Sequence, residues 1–414
     1  MKQSSDNQLQ PVPDALPPQG SRGRWLLVLG LEYHPEGHFW ERDSGLLCRG
    51  MRECGYDAWL VTLGPKTCQH TDCPLITGTL SDWENPEWWR QWNAVGVVAN
   101  LWALPRFAGV ARAIREAGLF HLARLDSNGL RTPRVDYWAF FRFRYSWMVD
   151  EGKPLPGLQA FLRSTIAWLF PRWHGRGTIE YLRYADVITV EAPISKQRYC
   201  RFLEAAGAPE LRARIRLLYH PVTEDMVYSP DVPKEKMLLS VGRWNTHVKG
   251  PDRMVTVLEA VLSRRPDYRA VLIGSGSDYL EALRARLPQD VQRRIAIHGR
   301  VNHNELVRFY QRAQIVLNTS VTESFCLALA EGLCCGASIC GPVSIPAFHQ
   351  FASCRSGTLA ESRATHHLSD ALMAEIEAWE NGERDPVAIS EFWQRQFHSR
   401  HIIRKIIDLW KQSR

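Results

Sequence analysis

The chain has 414 residues, of which 45% are hydrophobic and 23% are charged, and its formal net charge is +7 at pH 7. This length predicts two or three domains, each with a full core, and the composition is typical of a globular protein rather than a disordered or fibrous one. The modest positive charge is compatible with anionic small ligands, an anionic membrane surface or nucleic acid, and it selects none of them. No run reaches the ~18 apolar residues that a membrane-spanning helix needs.

The N-terminal segment 1–22 is polar and rich in proline, which predicts a disordered tail and no signal peptide. The ten cysteines show no disulfide-framework spacing, and Cys334 and Cys335 are adjacent inside an apolar run. Buried free thiols and a cytoplasmic location are therefore expected. Cys68 and Cys73 are spaced like one half of a metal clip, but no second ligand pair follows, so no zinc site is predicted.

The first half of the chain alternates short apolar runs with helical patterns, as in a parallel, doubly wound sheet. The predicted strands are Trp25–Leu31, Asp57–Leu63, Val95–Leu101, Phe120–Leu125, Ala185–Val190 and Ile215–Tyr219. The predicted helices are Ser44–Cys54, Leu104–Ala117 and Ser195–Ala206. Ligands of such sheets bind beyond the strand carboxyl ends, where Glu32–His38 and Asp126–Asn128 lie. For His34 and His38 a solvated loop is favoured over catalysis.

Two aromatic segments interrupt this alternation. Arg134–Gly177 interleaves aromatic residues with arginines and contains an amphipathic stretch at Leu155–Leu169. It fits either a lipid- or acceptor-facing surface or helices packed over the sheet with arginines pointing outward, and the packed interpretation is favoured. Core packing is likewise favoured over sugar stacking for four tryptophans, Trp83, Trp88, Trp89 and Trp92.

A proline- and acid-rich segment, His220–Glu235, is predicted to link two domains. A second alternating series follows, with strands Met237–Val241, Ala270–Ile273, Ile295–His298 and Ile315–Asn318 and helices Asp252–Ser263, Tyr279–Leu287 and Asn304–Gln314. One last helix, Glu391–Lys411, is predicted to pack back on the first domain. The expected divisions are a tail at 1–22, an N-terminal Rossmann-like domain at 23–225, a C-terminal Rossmann-like domain at 226–390 and the final helix at 391–414.

Two acidic residues eight positions apart, Glu323 and Glu331, enclose an apolar segment that predicts a helix starting just after Glu323. The two carboxylates would then lie roughly 12 Å apart along the helix axis. Free N–H groups at the helix N-terminus bind anions, so this geometry suits a diphosphate flanked by hydroxyls. Arg243 and Lys249 occupy one turn and could hold such a diphosphate, although an isolated pair of cations is most often a solvated surface.

These motifs form an ordered series: Gly242-Arg243, Lys249-Gly250, Gly274-Ser275-Gly276, Gly299-Arg300-Val301 and Glu323 to Glu331. The series resembles the retaining family-4 glycosyltransferases of the GT-B fold, and the match is specific over about residues 236–345. Ala185–Val190 and His220–Val222 also look like segments of that family. The first 180 residues match only in their alternation of strands and helices.

The resemblance implies an α/β GT-B fold, two Rossmann-like domains facing across a cleft, and metal-independent, retaining transfer of a sugar from a nucleotide-diphosphate sugar. It implies no other cofactor, and a glycan, a lipid or a small-molecule hydroxyl as acceptor. The aromatic segment Arg134–Gly177 leaves peripheral membrane contact open, and no nucleic-acid partner is expected. The implied catalytic residues are Glu323 on the donor sugar, Arg243 and Lys249 on the diphosphate, and Asp126 near the reacting centre. The implied donor-binding residues are Gly242, Gly274, Arg300, Val301, Ser324, Phe325, Cys326 and Glu331.

The sequence departs from the family pattern in the first domain. Where many relatives have a Gly-Gly turn this chain has Glu32–His38, and where many have a histidine it has Asp126–Gly129, so that Asp126 or Asn128 would substitute. A non-catalytic donor-binding or scaffold protein with the same architecture is therefore the alternative. A nucleic-acid-binding role lacks a basic run or an RNA-binding signature.

Overall fold

The computed structural model describes residues 20–32, 43–64, 68–69, 74–352 and 355–414. Residues 1–19 of the predicted tail, His34, His38 and Cys73 lie outside these ranges, and so do the predictions that concern them.

In the described part of the chain, eight strands form the first sheet: β1 Arg24–Glu32, β2 Asp57–Leu63, β3 Cys68–Gln69, β4 Leu75–Gly78, β5 Ala94–Asn100, β6 Phe120–Arg124, β7 Val187–Val190 and β8 Ile215–Leu217. Their order is β3-β4-β2-β1-β5-β6-β7-β8, and only β3 runs antiparallel to its neighbour. The helices are α1 Asp43–Glu53, α2 Leu80–Trp83, α3 Pro86–Arg90, α4 Ala108–Glu116, α5 Tyr137–Asp150, α6 Pro156–Leu169, α7 Pro171–Arg183 and α8 Pro193–Ala206.

The second sheet contains six parallel strands within the described residues: β9 Glu235–Val241, β10 Arg269–Ile273, β11 Ile295–His298, β12 Ala313–Leu317, β13 Ser338–Pro342 and β14 Gly357–Ala360. They lie in the order β11-β10-β9-β12-β13-β14. The helices are α9 Pro251–Arg264, α10 Ser277–Arg284, α11 Gln289–Gln292, α12 His303–Arg312, α13 Leu327–Cys334, α14 Phe348–Phe351, α15 Thr365–Glu380, α16 Pro386–Phe397 and α17 Ser399–Gln412. The expected fold class, two parallel-sheet α/β domains, is confirmed.

The predicted strands fold as expected because their runs are apolar on both faces, as strands covered by helices on both sides must be. Sequence patterning missed β4, β13 and β14, the long helix α15 and the short helices α2 and α3. Thr79 and Asn85 cap these two helices. Trp83 and Trp89 are fully buried in the core beneath them, which confirms the packing interpretation for these two side chains.

The chain ends in two helices where one was predicted, because the helical path breaks at His398. Helix α16 packs on α13, and Ser390 donates a hydrogen bond to the Cys334 carbonyl. Helix α17 packs on α1 of the first domain, with the ring of Trp410 5.7 Å from that of Trp25. The end of the chain therefore contacts both domains.

The packed interpretation of the segment Arg134–Gly177 is wrong for many of its side chains. Helices α5, α6 and α7 form there, but many of their large apolar residues face outward, with Trp138 62%, Leu155 70% and Trp173 71% exposed. Small residues fill the inward face of α6, where Ala160, Ser164 and Ala167 are buried. Since its large side chains lie on the other face, α6 leaves an apolar surface in contact with solvent.

Candidate active site

The turns after β9 and β10 approach each other so closely that only glycine fits at position 274. Gly242 donates its N–H to the Ile273 carbonyl at 3.0 Å, and Gly274 adopts φ +130°. A Cβ atom built on Gly274 would lie 1.8 Å from the Gly242 carbonyl oxygen. Because parallel strands end at one edge of a sheet, these glycine turns form the floor of a cleft there.

Lys249 and Glu323 meet at this edge. The Lys249 ammonium lies 2.5 Å from Glu323 Oε1, and Ser320 donates its hydroxyl to the same oxygen at 2.7 Å. Thr319 ties the Lys249 turn to the loop before Glu323 by donating to the carbonyls of Lys249 and Gly250, both at 3.2 Å. Burial opposes the charge on Lys249, but the Glu323 carboxylate outweighs it and raises the pKa of the lysine.

Arg243 lies beside this pair at the end of β9, with its side chain exposed. Its charge is close enough to act against the protonated form of Lys249. Two cations of the loop between β9 and α9 therefore lie near each other at the strand ends, in an arrangement suited to a diphosphate.

Helix α13 begins later than predicted. Cys326 adopts a left-handed conformation with φ 72°, which ends the preceding loop, and the helix starts at Leu327. Ser324, Phe325 and Cys326 therefore lie ahead of the helix and not in its first turn. No described residue accepts a hydrogen bond from their three N–H groups.

The side chain of Phe325 is buried at the junction of the domains. Its ring stacks on Tyr219 at 5.9 Å and lies 5.4 Å from the ring of Phe397. Any contribution of Phe325 to a donor must come from its backbone, since the ring is committed to packing.

Glu331 lies inside α13 and is 7% exposed, with Tyr310 donating its hydroxyl to Oε2 at 2.8 Å. Glu331 is thus a largely buried carboxylate, oriented by a tyrosine. Arg300 and Val301 follow β11, the first exposed and the second half-buried against the core.

The first domain contributes Asp126, which follows β6 in a left-handed conformation with φ 41°. Ser324 donates its hydroxyl to Asp126, and Asn128 donates to the Thr322 hydroxyl at 2.7 Å. Both contacts cross the cleft to the loop that carries Glu323. The structure thus brings Asp126 to the same place as Lys249 and Glu323.

His220 lies behind Asp126 in a buried network of charges. Its Nδ1 is 2.9 Å from Asp43 Oδ1, and its Nε2 is 3.2 Å from Asp126 Oδ1. Burial opposes protonation, but the two carboxylates outweigh both burial and nearby Arg124, and they raise the pKa of His220 to about 10. Glu191 accepts the N–H groups of Asp126 and Ser127, and burial raises its pKa to about 7.

Asp126, Glu191 and His220 place their ligand atoms within 4.8 Å of one another, close enough to surround a metal ion. Both ring nitrogens of His220 face carboxylates, Nδ1 that of Asp43 and Nε2 that of Asp126, and these carboxylates raise the pKa of His220. We therefore interpret this group as an ion-pair network that fixes Asp126.

We predict that this network makes the free energy of unfolding fall at alkaline pH. The folded-state pKa of His220 lies above the ordinary 6.5, so its contribution is complete below pH 6.5 and is lost as pH rises toward about 10. The free energy of unfolding, measured with urea, should fall across this window, and His220→Gln should flatten the fall. The control His366→Gln, at an exposed histidine, should keep the wild-type slope, and an unchanged slope in His220→Gln would contradict the assignment.

Sequence reasoning gave no role to Asp43, Arg124, Glu191 or His220. Asp43, Arg124 and His220 meet through contacts that span 81 to 177 residues of sequence. The one local signal was Glu191, an acidic residue directly after an apolar strand.

Comparison with known proteins agrees with this arrangement. Residues 223–385 match the family model described as Glycosyl transferases group 1. A phosphatidylinositol N-acetylglucosaminyltransferase component of Arabidopsis thaliana is 33% identical over 88 residues, 21% of this chain and 20% of that protein. An uncharacterized glycosyltransferase of Methanocaldococcus jannaschii is 34% identical over 107 residues, 25% of this chain and 26% of that protein. The alignments thus span about a fifth to a quarter of these relatives.

Solved structures match over nearly the whole chain. The crystal structure of Anabaena HepE with UDP aligns with a TM-score of 0.66 at 13% identity, covering 94% of this chain and 100% of that one. Sucrose-phosphate synthase from Thermosynechococcus elongatus gives a TM-score of 0.63 at 16% identity, covering 94% and 99%. Residues 223–385 thus match the group 1 glycosyltransferase domain, and the chain as a whole has the two-domain GT-B fold of these solved structures.

Proposed function

We propose that this chain is a retaining, metal-independent glycosyltransferase that moves a sugar from a nucleotide-diphosphate sugar to a hydroxyl group of an acceptor. The observation that carries the proposal is the contact between Lys249 and Glu323 at the strand ends, beside the free N–H groups of Ser324, Phe325 and Cys326.

The chemistry of the step needs these groups. Breaking the bond between sugar and phosphate leaves negative charge on the diphosphate and positive character at the anomeric carbon. In the donor complex Lys249 and Arg243 face the diphosphate, and Glu323 accepts hydrogen bonds from sugar hydroxyls. Fixed cations and backbone N–H groups aimed at developing charge are a large source of rate enhancement. The acceptor hydroxyl attacks from the same face and passes its proton to the leaving phosphate oxygen.

A uridine diphosphate sugar is the first donor to test. Solved structures of Anabaena HepE hold UDP-glucose and UDP, and the Arabidopsis relative is named for N-acetylglucosamine transfer. We expect at least one of a panel of UDP-, GDP- and ADP-sugars to raise the unfolding temperature and to be hydrolysed or transferred, with retention read by NMR. If no sugar binds, the proposal fails, and donor binding without turnover on any acceptor extract would favour the scaffold alternative.

We further propose that the apolar surface of α5, α6 and α7 contacts an anionic membrane. No helix in the described part of the chain is long and apolar enough to span a bilayer. The exposed side chains of α6 instead suit insertion into the headgroup region, and Arg163, Arg172 and Arg176 are exposed along the same surface.

If this surface contacts a membrane, acidic residues introduced on α6 should weaken vesicle binding. Leu158→Asp with Phe161→Asp should reduce sedimentation with phosphatidylcholine–phosphatidylglycerol vesicles at least about tenfold, because burying each side chain contributes ~1.5–3 kcal/mol. The matched control is Val387→Asp with Phe392→Asp on α16, where both residues are also exposed apolar ones. Equal losses in the two double variants would contradict a specific membrane surface.

A further inference from the structure

A small pocket with a cavity volume of about 50 Å³, partly open to solvent, lies between the two domains. Arg142 of α5 and Arg198 of α8 line it from the first domain, and Arg363 lines it from the second. Hydroxyl groups of Thr322 and Ser344 add hydrogen-bond donors to the lining. The pocket is therefore cationic and rich in donors.

The three arginines have no carboxylate partner in the described part of the chain. Arg198 donates to the Asn128 carbonyl at 3.1 Å and Arg363 to the Thr319 carbonyl at 3.3 Å, both neutral acceptors. The Arg363 Nε is buried without a partner. Burial, with Arg253 and Arg142 nearby, lowers the pKa of Arg363 to about 10. The Asp136 carboxylate lies close enough to favour the charge on Arg198, whereas the charge of Arg142 acts against that of Arg363. An anionic ligand between Arg142 and Arg363 removes the cost of holding these like charges together.

The position of the pocket points to the acceptor rather than to the donor. Thr322 lines it and directly precedes Glu323, while Asn128 lines it and lies two residues after Asp126. Arg243 and Lys249 do not line it. A group bound in the pocket thus lies beside the reacting centre and apart from the two cations assigned to the donor diphosphate.

We infer that this pocket binds a phosphoryl group of the acceptor, so that the acceptor is a phosphate ester carrying a free hydroxyl. This inference rests on the proposed function and narrows its acceptor class. Arg142 and Arg363 hold the phosphate oxygens from opposite domains, and the ester presents its hydroxyl toward Glu323. Helix α5 carries Arg142 in the pocket and the exposed Trp138 at the proposed membrane surface. The phosphate in the pocket can therefore belong to a phospholipid headgroup or to a soluble ester.

The test measures binding of glycerol 3-phosphate by calorimetry to the full chain saturated with UDP, with glycerol as the uncharged control. UDP occupies the donor diphosphate site, so that binding is read at the pocket. We expect Arg142→Gln and Arg363→Gln each to weaken Kd at least about tenfold, as for the loss of a charged hydrogen bond. Arg201→Gln removes an exposed charge from the same helix as Arg198 and should leave Kd unchanged.

Vesicles distinguish the two sources of phosphate. If the protein binds phosphatidic acid vesicles more strongly than phosphatidylcholine vesicles, and the pocket variants lose this difference, the ligand is a lipid. If the pocket variants lose only the binding of glycerol 3-phosphate, the ligand is a soluble ester. If Arg142→Gln and Arg363→Gln bind both probes as tightly as the wild type does, the inference is overturned. The titrations are repeated without UDP, so that a failure to bind UDP counts against the proposed donor alone.

Discussion

Replacing Lys249 with methionine should lower kcat/KM for sugar transfer by about two to three orders of magnitude, the range for removal of one preorganised donor from a developing anion. Methionine keeps much of the length of the side chain and removes its charge. Lys249 is held against Glu323 by the Thr319 hydrogen bonds to its turn, so its ammonium needs little reorganisation when a diphosphate enters the cleft. The measurement is the initial rate with the donor identified by the sugar panel.

The matched control is Lys236→Met. Lys236 is also paired, with Asp267 and Glu380, but on the exposed surface of the second domain, where such pairs contribute ~0–1 kcal/mol. Glu323→Gln should also lower the rate by orders of magnitude, because an amide neither keeps the charge nor accepts at both of its atoms. If Lys249→Met and Lys236→Met retain the same rate, Lys249 has no role in the chemistry.

The position of Lys249 also depends on the first domain. Asp150, at the end of α5, accepts the N–H groups of His247 and Val248 at 2.6 and 3.3 Å, and the ring of Tyr145 lies 6.0 Å from that of His247. Helix α5 therefore holds the turn before Lys249 while it borders the proposed membrane surface. The proposed membrane surface and the position of the turn that carries Lys249 thus both depend on helix α5.

The central part of the second domain was predictable because its signals are local. Strands β9, β10 and β11 are short apolar runs followed by glycine, and parallel strands bring their ends together, so the convergence of Lys249 and Glu323 follows from order and spacing. The start of α13 was not predictable, since the left-handed conformation of Cys326 has no glycine or asparagine to announce it. The outward face of α6 was not the favoured prediction, because apolar side chains are normally buried in the protein core. The sequence does not show when a partner outside the chain covers them instead.

The first domain shows the limit of such reasoning. Asp126 was identified by its position after a strand, but what holds it is a network in which His220 and Asp43 are separated by 177 residues. No sequence pattern connects residues at that distance. The proposed acceptor pocket has the same origin, since Arg142, Arg198 and Arg363 meet only when the two domains face each other.

The glycine turns on the floor of the cleft give the second large effect. Gly274→Ala should reduce the free energy of unfolding by at least about 3 kcal/mol, because overpacking and a strained backbone each cost about 1–3 kcal/mol. The added Cβ would lie 1.8 Å from the Gly242 carbonyl oxygen, and φ +130° is unfavourable for alanine. Urea unfolding measures the loss, and UDP binding reports on the turn in any protein that still folds.

Gly299→Ala is the matched control, since Gly299 follows the neighbouring strand β11 and a Cβ there meets no atom within 4 Å. It should leave both stability and UDP binding close to those of the wild type. The two substitutions add the same methyl group to neighbouring strand ends, so a difference between them measures the close approach of the β9 and β10 turns. Equal stability of the two variants would mean that these turns do not lie in contact, and the floor of the proposed donor site would then be wrongly placed.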